Sequence, residues 1–124
     1  MKRQIITDQA PQPFAGAYSQ GIVIDEKRMY VAGQGALDVK TGVAPEGISA
    51  QSAQVMENIR TILEAGGFSL ADVVKSTVHL ADIADFGEFN KVYTSFFSGA
   101  LPVRTTVQSV LPGFLVEIDV VAEK

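Results

Sequence analysis

The segment that decides the fold is Leu115–Ala122, which has the sequence LVEIDVVA. Apolar and polar residues alternate along it, which is typical of a strand that is buried on one face only. Val116, Ile118 and Val120 form the apolar row, and we expect them to pack beneath helices. The opposite face of this strand carries the remaining side chains, Leu115, Glu117, Asp119 and Val121. The pattern predicts a sheet with one face covered by helices.

The rest of the chain supplies the other strands of this sheet. Short apolar or alternating runs predict strands over Arg3–Thr7, Tyr18–Ile24, Met29–Gln34, Val73–Leu80 and Val103–Val110. Loops rich in Gly and Pro are predicted over Asp8–Ala17 and Gly35–Gly47. The Leu111–Phe114 segment contains Pro-Gly, and it predicts a turn that joins the last two strands as a hairpin.

Two segments have the spacing of amphipathic helices. The first, Ile48–Ala65, is followed by the helix-stopping pair Gly66-Gly67. The second runs from about Phe86 to Ser98, and Asp85 and Glu88 have the spacing of a capping box at its start. The expected fold class is α+β, with both helices on one face of a mixed sheet, in a single domain spanning residues 1–124.

Composition excludes several classes of function. Hydrophobic residues make up 47% of the 124-residue chain, which indicates a globular domain with a core. Ten Lys and Arg face fourteen Asp and Glu, and this acidic balance argues against a nucleic-acid or anionic-membrane partner. The chain has no cysteine and one histidine, His79, so thiolate chemistry, disulfides and multi-histidine metal sites are excluded. Without an apolar leader, the expected location is the cytoplasm.

Two helices cover one face of a sheet, and the other face of this one is mixed. In the last strand that face carries Glu117 and Asp119 between aliphatic residues, which favours a subunit interface. If the hairpin loop has an even number of residues, Arg104 shares this face with Glu117; an odd loop would separate them. With a shared face, the residue opposite Glu117 is Thr106 or Gln108, so Arg104 lies two to four residues away along the strand, roughly 7–13 Å. At the short end of this range, a small acid would contact both Arg104 and Glu117.

Several motifs resemble those of the RidA (YjgF-like) family, in the same order and at similar spacing over about Ile5–Ala122. In chain order they are Ala17-Tyr18-Ser19-Gln20-Gly21, Val31-Ala32-Gly33-Gln34, Phe89-Asn90-Lys91-Val92-Tyr93 with Phe96-Phe97, Pro102-Val103-Arg104-Thr105-Thr106-Val107, and Val116-Glu117-Ile118. The resemblance implies a chorismate-mutase-like homotrimer with sites between subunits. It also implies hydrolysis of reactive 2-imino acids to 2-keto acids and ammonia, without a metal or cofactor.

The resemblance also implies roles for individual residues. Arg104 matches the arginine that binds the substrate carboxylate, and Glu117 matches the glutamate that positions the attacking water. Tyr18 and Gly33 match pocket residues, and Asn90 matches an asparagine with a structural or substrate-binding role. Two positions depart from well-known members: Ala32 replaces a serine, and Thr106, a further expected substrate contact, replaces a cysteine.

These residue types suit the implied chemistry. The planar guanidinium of Arg104 can hold a carboxylate through two charge-assisted hydrogen bonds. The carboxylate of Glu117 can orient or deprotonate a water molecule that attacks the imine carbon. His79 is expected to be solvated or at an interface rather than catalytic.

Two other functions compete with the deaminase. A non-enzymatic, small-carboxylate-binding or chaperone-like trimer would use the same Arg104, so that only turnover and Glu117 distinguish it from an enzyme. An endoribonuclease or translation inhibitor is disfavoured by the acidic charge balance.

Overall fold

A computed structural model describes all residues from Met1 to Lys124. It contains one six-stranded sheet with the strand order β1-β2-β3-β6-β4-β5 and two α-helices. The elements are β1 (Lys2–Ile5), β2 (Gly21–Ile24), β3 (Arg28–Gln34), α1 (Ile48–Ala65), β4 (Val73–Leu80), α2 (Phe86–Ser95), β5 (Val103–Gln108) and β6 (Val116–Glu123). The predicted α+β class and the order of elements are confirmed.

Both helices pack on the same face of the sheet. Helix α1 contributes the buried side chains of Val55, Ile59 and Leu63 to the core. The core residues Val116, Ile118 and Val120 of β6 are buried, as the alternation of this strand predicts. No helix is both long and apolar enough to cross a membrane.

The start of α2 differs from the predicted capping box. Asp85 makes no side-chain capping hydrogen bond; instead, Asp82 accepts one from the backbone N–H of Ala84, at 2.9 Å. The reason is that Ile83–Asp85 already forms a 3₁₀ turn, which moves the first free backbone N–H groups upstream. The carboxylate of Glu88 accepts a hydrogen bond from Ser49 rather than turning back to the helix start.

The predicted hairpin between the last two strands is wrong. β5 lies at the edge of the sheet and pairs in parallel with β4, whereas β6 pairs with β3 and β4 in antiparallel fashion. Leu80 in β4 stands between Gln108 and Val116, so the connection must span two strand spacings, roughly 10 Å. Residues 109–115 are long enough for this step, because an extended chain covers about 3.3–3.6 Å per residue.

This strand order decides which side chains share a face. Arg104 is aligned with Ser76, which is aligned with the buried Val120, so Arg104 lies on the helix-covered face. The residue opposite Glu117 is His79, rather than Thr106 or Gln108, and this pair lies on the uncovered face. The expectation that Arg104 and Glu117 share a face is therefore wrong, because it depended on the hairpin.

The uncovered face is mixed in character, as the sequence predicts. Tyr30, Val103 and Val107 are 45%, 68% and 40% exposed, respectively. The register places the charged residues Lys75 and Asp119 among them. This face therefore carries exposed apolar side chains that the two helices leave uncovered.

Candidate functional site

Arg104 is held by the aromatic side chains of α2. Its guanidinium carbon lies 5.4 Å from the ring centroids of Phe86 and Phe89, and 5.0 Å from that of Tyr93. These rings lie at positions i, i+3 and i+7 of the helix and so face one side. Aromatic faces attract a cation electrostatically, which stabilises the charge of Arg104 at this half-buried position.

Arg104 differs from the other arginines in having no ionic partner. Arg3, Arg28 and Arg60 each pair with a glutamate within 4.0 Å. No Asp or Glu carboxylate lies within that distance of Arg104, and its N–H groups donate no hydrogen bond within the chain. Its charge and its planar set of donors are therefore available to an external carboxylate.

A groove of about 300 Å³ opens beside this guanidinium, and we call it the arginine groove. It is lined by Asn90, Tyr93, Thr94, Leu101, Pro102 and Arg104. The side-chain oxygen of Asn90 is buried without a hydrogen-bond partner, and so is that of Thr106, which follows Arg104 on the same face of β5. Buried polar atoms without partners are uncommon, so a ligand that donates hydrogen bonds here would satisfy them.

A second, larger pocket of about 490 Å³ contains Glu117, and we call it the glutamate pocket. It is lined by Pro11, Gln12, Phe14, Tyr18, Gly33, Gln34, Gly35, Leu37, Pro112, Phe114 and Glu117. A Cβ atom at Gly33 would lie 2.8 Å from the Oε2 atom of Glu117. The absence of a side chain at Gly33 is therefore what allows the carboxylate to occupy its position.

Tyr18 supports one wall of the glutamate pocket. Its hydroxyl oxygen accepts a hydrogen bond from the backbone N–H of Phe14, at 3.1 Å. This bond closes the Phe14–Gly16 turn, in which Ala15 has the left-handed φ of 55°. Tyr18 thus lines the pocket and also holds in place the turn that carries Phe14.

The predicted site residues form two groups within one chain. Tyr18 and Gly33 surround Glu117 in the glutamate pocket. Asn90 accompanies Arg104 in the arginine groove, whereas Thr106, two residues further along β5, lines neither pocket. The sheet separates the two groups, because Arg104 and Glu117 point to opposite faces of it.

Residues beyond the predicted set also shape the site. Phe89 and Tyr93 are buried core residues of α2, and their rings also face Arg104. The hydroxyls of Tyr93 and Ser76 are hydrogen-bonded at 2.5 Å. Burial raises the pKa of Tyr93, and this effect outweighs the opposing ones of Ser76 and Arg104.

His79 is only partly exposed to solvent, and its side chain has a hydrogen-bond partner within the chain. It is half-buried, and its Nδ1 atom is hydrogen-bonded to the hydroxyl of Ser109, at 2.8 Å. Burial raises the pKa of the neighbouring Asp119, while electrostatic interactions with His79 and Lys75 oppose this shift. No group of three or more histidine, aspartate or glutamate side chains is arranged to hold a metal ion.

Comparison with known proteins agrees with the motifs in the sequence. The sequence model of the family described as Endoribonuclease L-PSP matches residues 7–124. The chain is 40% identical to the 2-iminobutanoate/2-iminopropanoate deaminase of Rattus norvegicus, over 98% of the chain and 90% of the relative. The chain belongs to the RidA (YjgF-like) family.

Other relatives extend this similarity to archaea and to solved structures. A RutC family protein of Saccharolobus solfataricus is 47% identical over 100% of the chain and 99% of the relative. The crystal structure of RidA from the Antarctic bacterium Psychrobacter superposes with a TM-score of 0.92, at 40% identity, and covers 98% of this chain and 99% of the other. TdcF of E. coli, solved with bound serine, has a TM-score of 0.91 at 33% identity, with 98% of each chain covered.

Proposed function

We propose that this RidA family member is a cofactor-free deaminase that hydrolyses small 2-imino acids to 2-keto acids and ammonia. The main observation in support of this proposal concerns Arg104. Its half-buried guanidinium is held by three aromatic rings and is bound to no carboxylate of its own chain. Such a group is suited to a small anionic ligand. Relatives named as 2-iminobutanoate/2-iminopropanoate deaminases in rat, mouse and cattle support this choice of substrate class.

The proposed reaction begins with the carboxylate of the substrate bound by Arg104. Glu117 orients a water molecule and accepts a proton as the water oxygen forms a bond to the imine carbon. The imine nitrogen takes up a proton from solvent, which gives a carbinolamine. The proton held by Glu117 then passes to this nitrogen, and the carbon–nitrogen bond breaks as the carbinolamine hydroxyl returns a proton to solvent. Ammonia leaves, and the product is a 2-keto acid. The net change is the imino acid plus water giving the keto acid plus ammonia.

We further propose that the complete site lies between subunits of a homotrimer. The arginine groove lies beside the edge strand β5, and the glutamate pocket lies at the ends of β3 and β6. Association would bring the groove of one subunit to the pocket of its neighbour and would bury the exposed apolar residues of the uncovered face. Light scattering at micromolar concentration should therefore give the mass of a trimer, and a stable monomer would contradict this assembly.

The experiment that tests the activity uses an amino-acid oxidase to generate imines in the assay. The protein should accelerate formation of the keto acid above the spontaneous rate. Arg104→Lys keeps the charge but loses the planar set of donors, so we expect a folded protein with almost no acceleration. Arg60→Lys is the matched control, because Arg60 also lies over an aromatic ring, that of Phe96, but lines neither pocket.

The assay also separates the deaminase from a trimer that only binds small carboxylates. TdcF, solved with bound serine, shows that a relative holds a small amino acid, which suits either function. A wild-type protein that binds 2-oxobutanoate but does not accelerate hydrolysis would favour the binding protein. A nucleic-acid substrate is disfavoured because the chain has a net charge of -4.

A further inference from the structure

We propose that Tyr93, anchored by Ser76, is a positioning residue that fixes the orientation of the Arg104 guanidinium before substrate binds. This inference rests on the proposed function in giving Arg104 the role of carboxylate ligand. Tyr93 and Ser76 belong to α2 and β4, and Arg104 belongs to β5. The three side chains therefore couple a helix to the two strands at one edge of the sheet.

A hydrogen bond between Ser76 and Tyr93 tethers the tyrosine beside Arg104. Ser76 is only 1% exposed and lies directly beside Arg104 in the parallel register of β4 and β5. Its hydroxyl lies 2.5 Å from the hydroxyl of Tyr93. The hydroxyl end of Tyr93 is thus fixed to the strand next to Arg104, while its ring lies 5.0 Å from the guanidinium. A tyrosine held at both ends has little freedom to tilt.

Packing against neighbouring aromatic rings also holds the ring of Tyr93 in place. Phe89 and Phe97 flank it, with ring centroids at 5.4 Å and 5.0 Å. Tyr93 itself is 2% exposed. This packing holds the ring even without its hydroxyl, so that Tyr93→Phe removes the tether and leaves the aromatic surface in place.

Aromatic rings, and not a carboxylate, hold the Arg104 guanidinium. A carboxylate would also hold Arg104, but it would occupy the N–H donors and compete with the substrate. Aromatic rings stabilise the positive charge through their faces. They leave the N–H donors in the plane of the guanidinium free for the substrate. An arginine oriented in this way loses less conformational freedom when it binds a carboxylate, which favours affinity.

The test combines two single variants, Tyr93→Phe and Ser76→Ala, with the double variant. Each single change should weaken binding of 2-oxobutanoate by about three- to tenfold, the scale of one lost neutral hydrogen bond. The double variant should bind no more weakly than the single ones, because both remove the same interaction. In imine hydrolysis, KM should rise by a similar factor with kcat little changed, since ground state and transition state share the carboxylate contact.

A matched control separates positioning from stability. Val55→Ala removes buried core volume in α1 at a residue that does not line the arginine groove, and it should lower the melting temperature without changing the affinity for 2-oxobutanoate. If Tyr93→Phe and Ser76→Ala behave like this control, Tyr93 is structural and the inference is overturned.

A readout independent of catalysis distinguishes failure of this inference from failure of the proposed function. Nitrogen-15 relaxation of the Arg104 Nε–H group, identified by its loss in Arg104→Lys, reports motion of the guanidinium in the free protein. We expect greater motion in Tyr93→Phe and Ser76→Ala, with the Arg60 group unchanged. Unchanged motion at Arg104 would overturn the inference even in an active enzyme. Increased motion together with weaker 2-oxobutanoate binding would uphold it, even if the wild type hydrolysed no imine.

Discussion

Arg104 and Glu117 project from opposite faces of the same sheet, and β4 lies between their strands. Arg104 follows the register of Ser76 toward α2, whereas Glu117 follows that of His79 toward the uncovered face. Two strand spacings of about 4.8 Å and the thickness of the sheet separate them, which exceeds the reach of a small imino acid. A site that uses both residues therefore needs a second subunit.

Gly33→Ala should strongly reduce imine hydrolysis without unfolding the protein. The new Cβ atom would lie 2.8 Å from the Oε2 atom of Glu117, so the carboxylate must move from its position in the glutamate pocket. Displacing a catalytic group by about 1 Å can cost roughly 100-fold in rate. Steady-state kinetics and a melting curve on the same preparation would measure both quantities.

Gly87→Ala is the matched control for this substitution. A Cβ atom at Gly87 meets no atom within 4 Å, and the residue lies in the first turn of α2. Alanine is the better helix former, so this variant should keep wild-type kinetics and melt at the same or a higher temperature. Equal activity of the Gly33 and Gly87 variants would mean that the position of Glu117 is not critical.

Glu117→Gln should lower kcat by about 10²–10⁴-fold, the usual range for loss of a general acid or base. Glutamine keeps the size of the side chain but loses the negative charge and the capacity to accept a proton. Binding of 2-oxobutanoate, measured by calorimetry, should survive because Arg104 is intact. A folded variant with wild-type kcat would show that Glu117 does not carry the hydrolysis, and activity that falls only with the folded fraction would indicate a structural role.

Asp119→Asn should stabilise the protein at neutral pH. Burial raises the pKa of Asp119, so the folded state favours the protonated carboxyl more than the unfolded chain does. Stability is lost as the pH rises from the pKa of Asp119 in the unfolded chain through its pKa in the folded protein. Asparagine does not ionise, so the Asp119→Asn variant does not lose stability in this way. The midpoint of urea unfolding should be higher for Asp119→Asn than for wild type at about pH 7, with the difference shrinking toward about pH 4.

Glu46→Gln is the control for this pH dependence. Glu46 is exposed and forms no ion pair or side-chain hydrogen bond, so its substitution should leave the midpoint near the wild-type value at both pH values. A destabilised Asp119→Asn at neutral pH would show instead that attraction to His79 and Lys75 outweighs the cost of burial.

The fold followed from the sequence where the signal was local. The bounds of α1 and β4 agree with prediction, because helical spacing and strict alternation mark them directly. The pairing of β5 was missed because strand order depends on contacts between distant segments, and a connection such as residues 109–115 is compatible with a hairpin or with a step over a neighbour. α2 ends at Ser95 rather than Ser98, within the usual uncertainty of helix ends.

The motifs name candidate site residues, and their roles stay predictions, but the motifs did not predict how these residues are arranged. The motifs carry no information on which face of the sheet Arg104 occupies, since that depends on the misjudged pairing of β5. The role of Tyr93 was hidden because a residue at a helical core position has the same spacing whether or not it also contacts a cation. Alternation along β4 does place Ser76 among the buried residues, and with the true register it would have placed Arg104 there too.

The glutamate pocket predicts the substrate range. Its lining includes the apolar side chains of Phe14, Leu37 and Phe114, and Glu117 is its charged residue. Imines of small, unbranched or hydrophobic amino acids should therefore be hydrolysed, because their side chains can be buried here without an unpaired charge. A survey of amino acids in the oxidase-coupled assay that found activity only with acidic or basic imines would contradict this.

A mixture of two inactive variants shows whether one site combines Arg104 of one subunit with Glu117 of another. Arg104→Lys and Glu117→Gln would be denatured together in equal amounts and refolded, with each variant refolded alone as the control. Half of the arginine positions and half of the facing glutamate positions would be intact, so about a quarter of the sites would be complete in randomly mixed trimers. We predict recovery of about a quarter of the wild-type rate of imine hydrolysis. A mixture that contains mixed trimers yet is no more active than the variants alone would contradict the account.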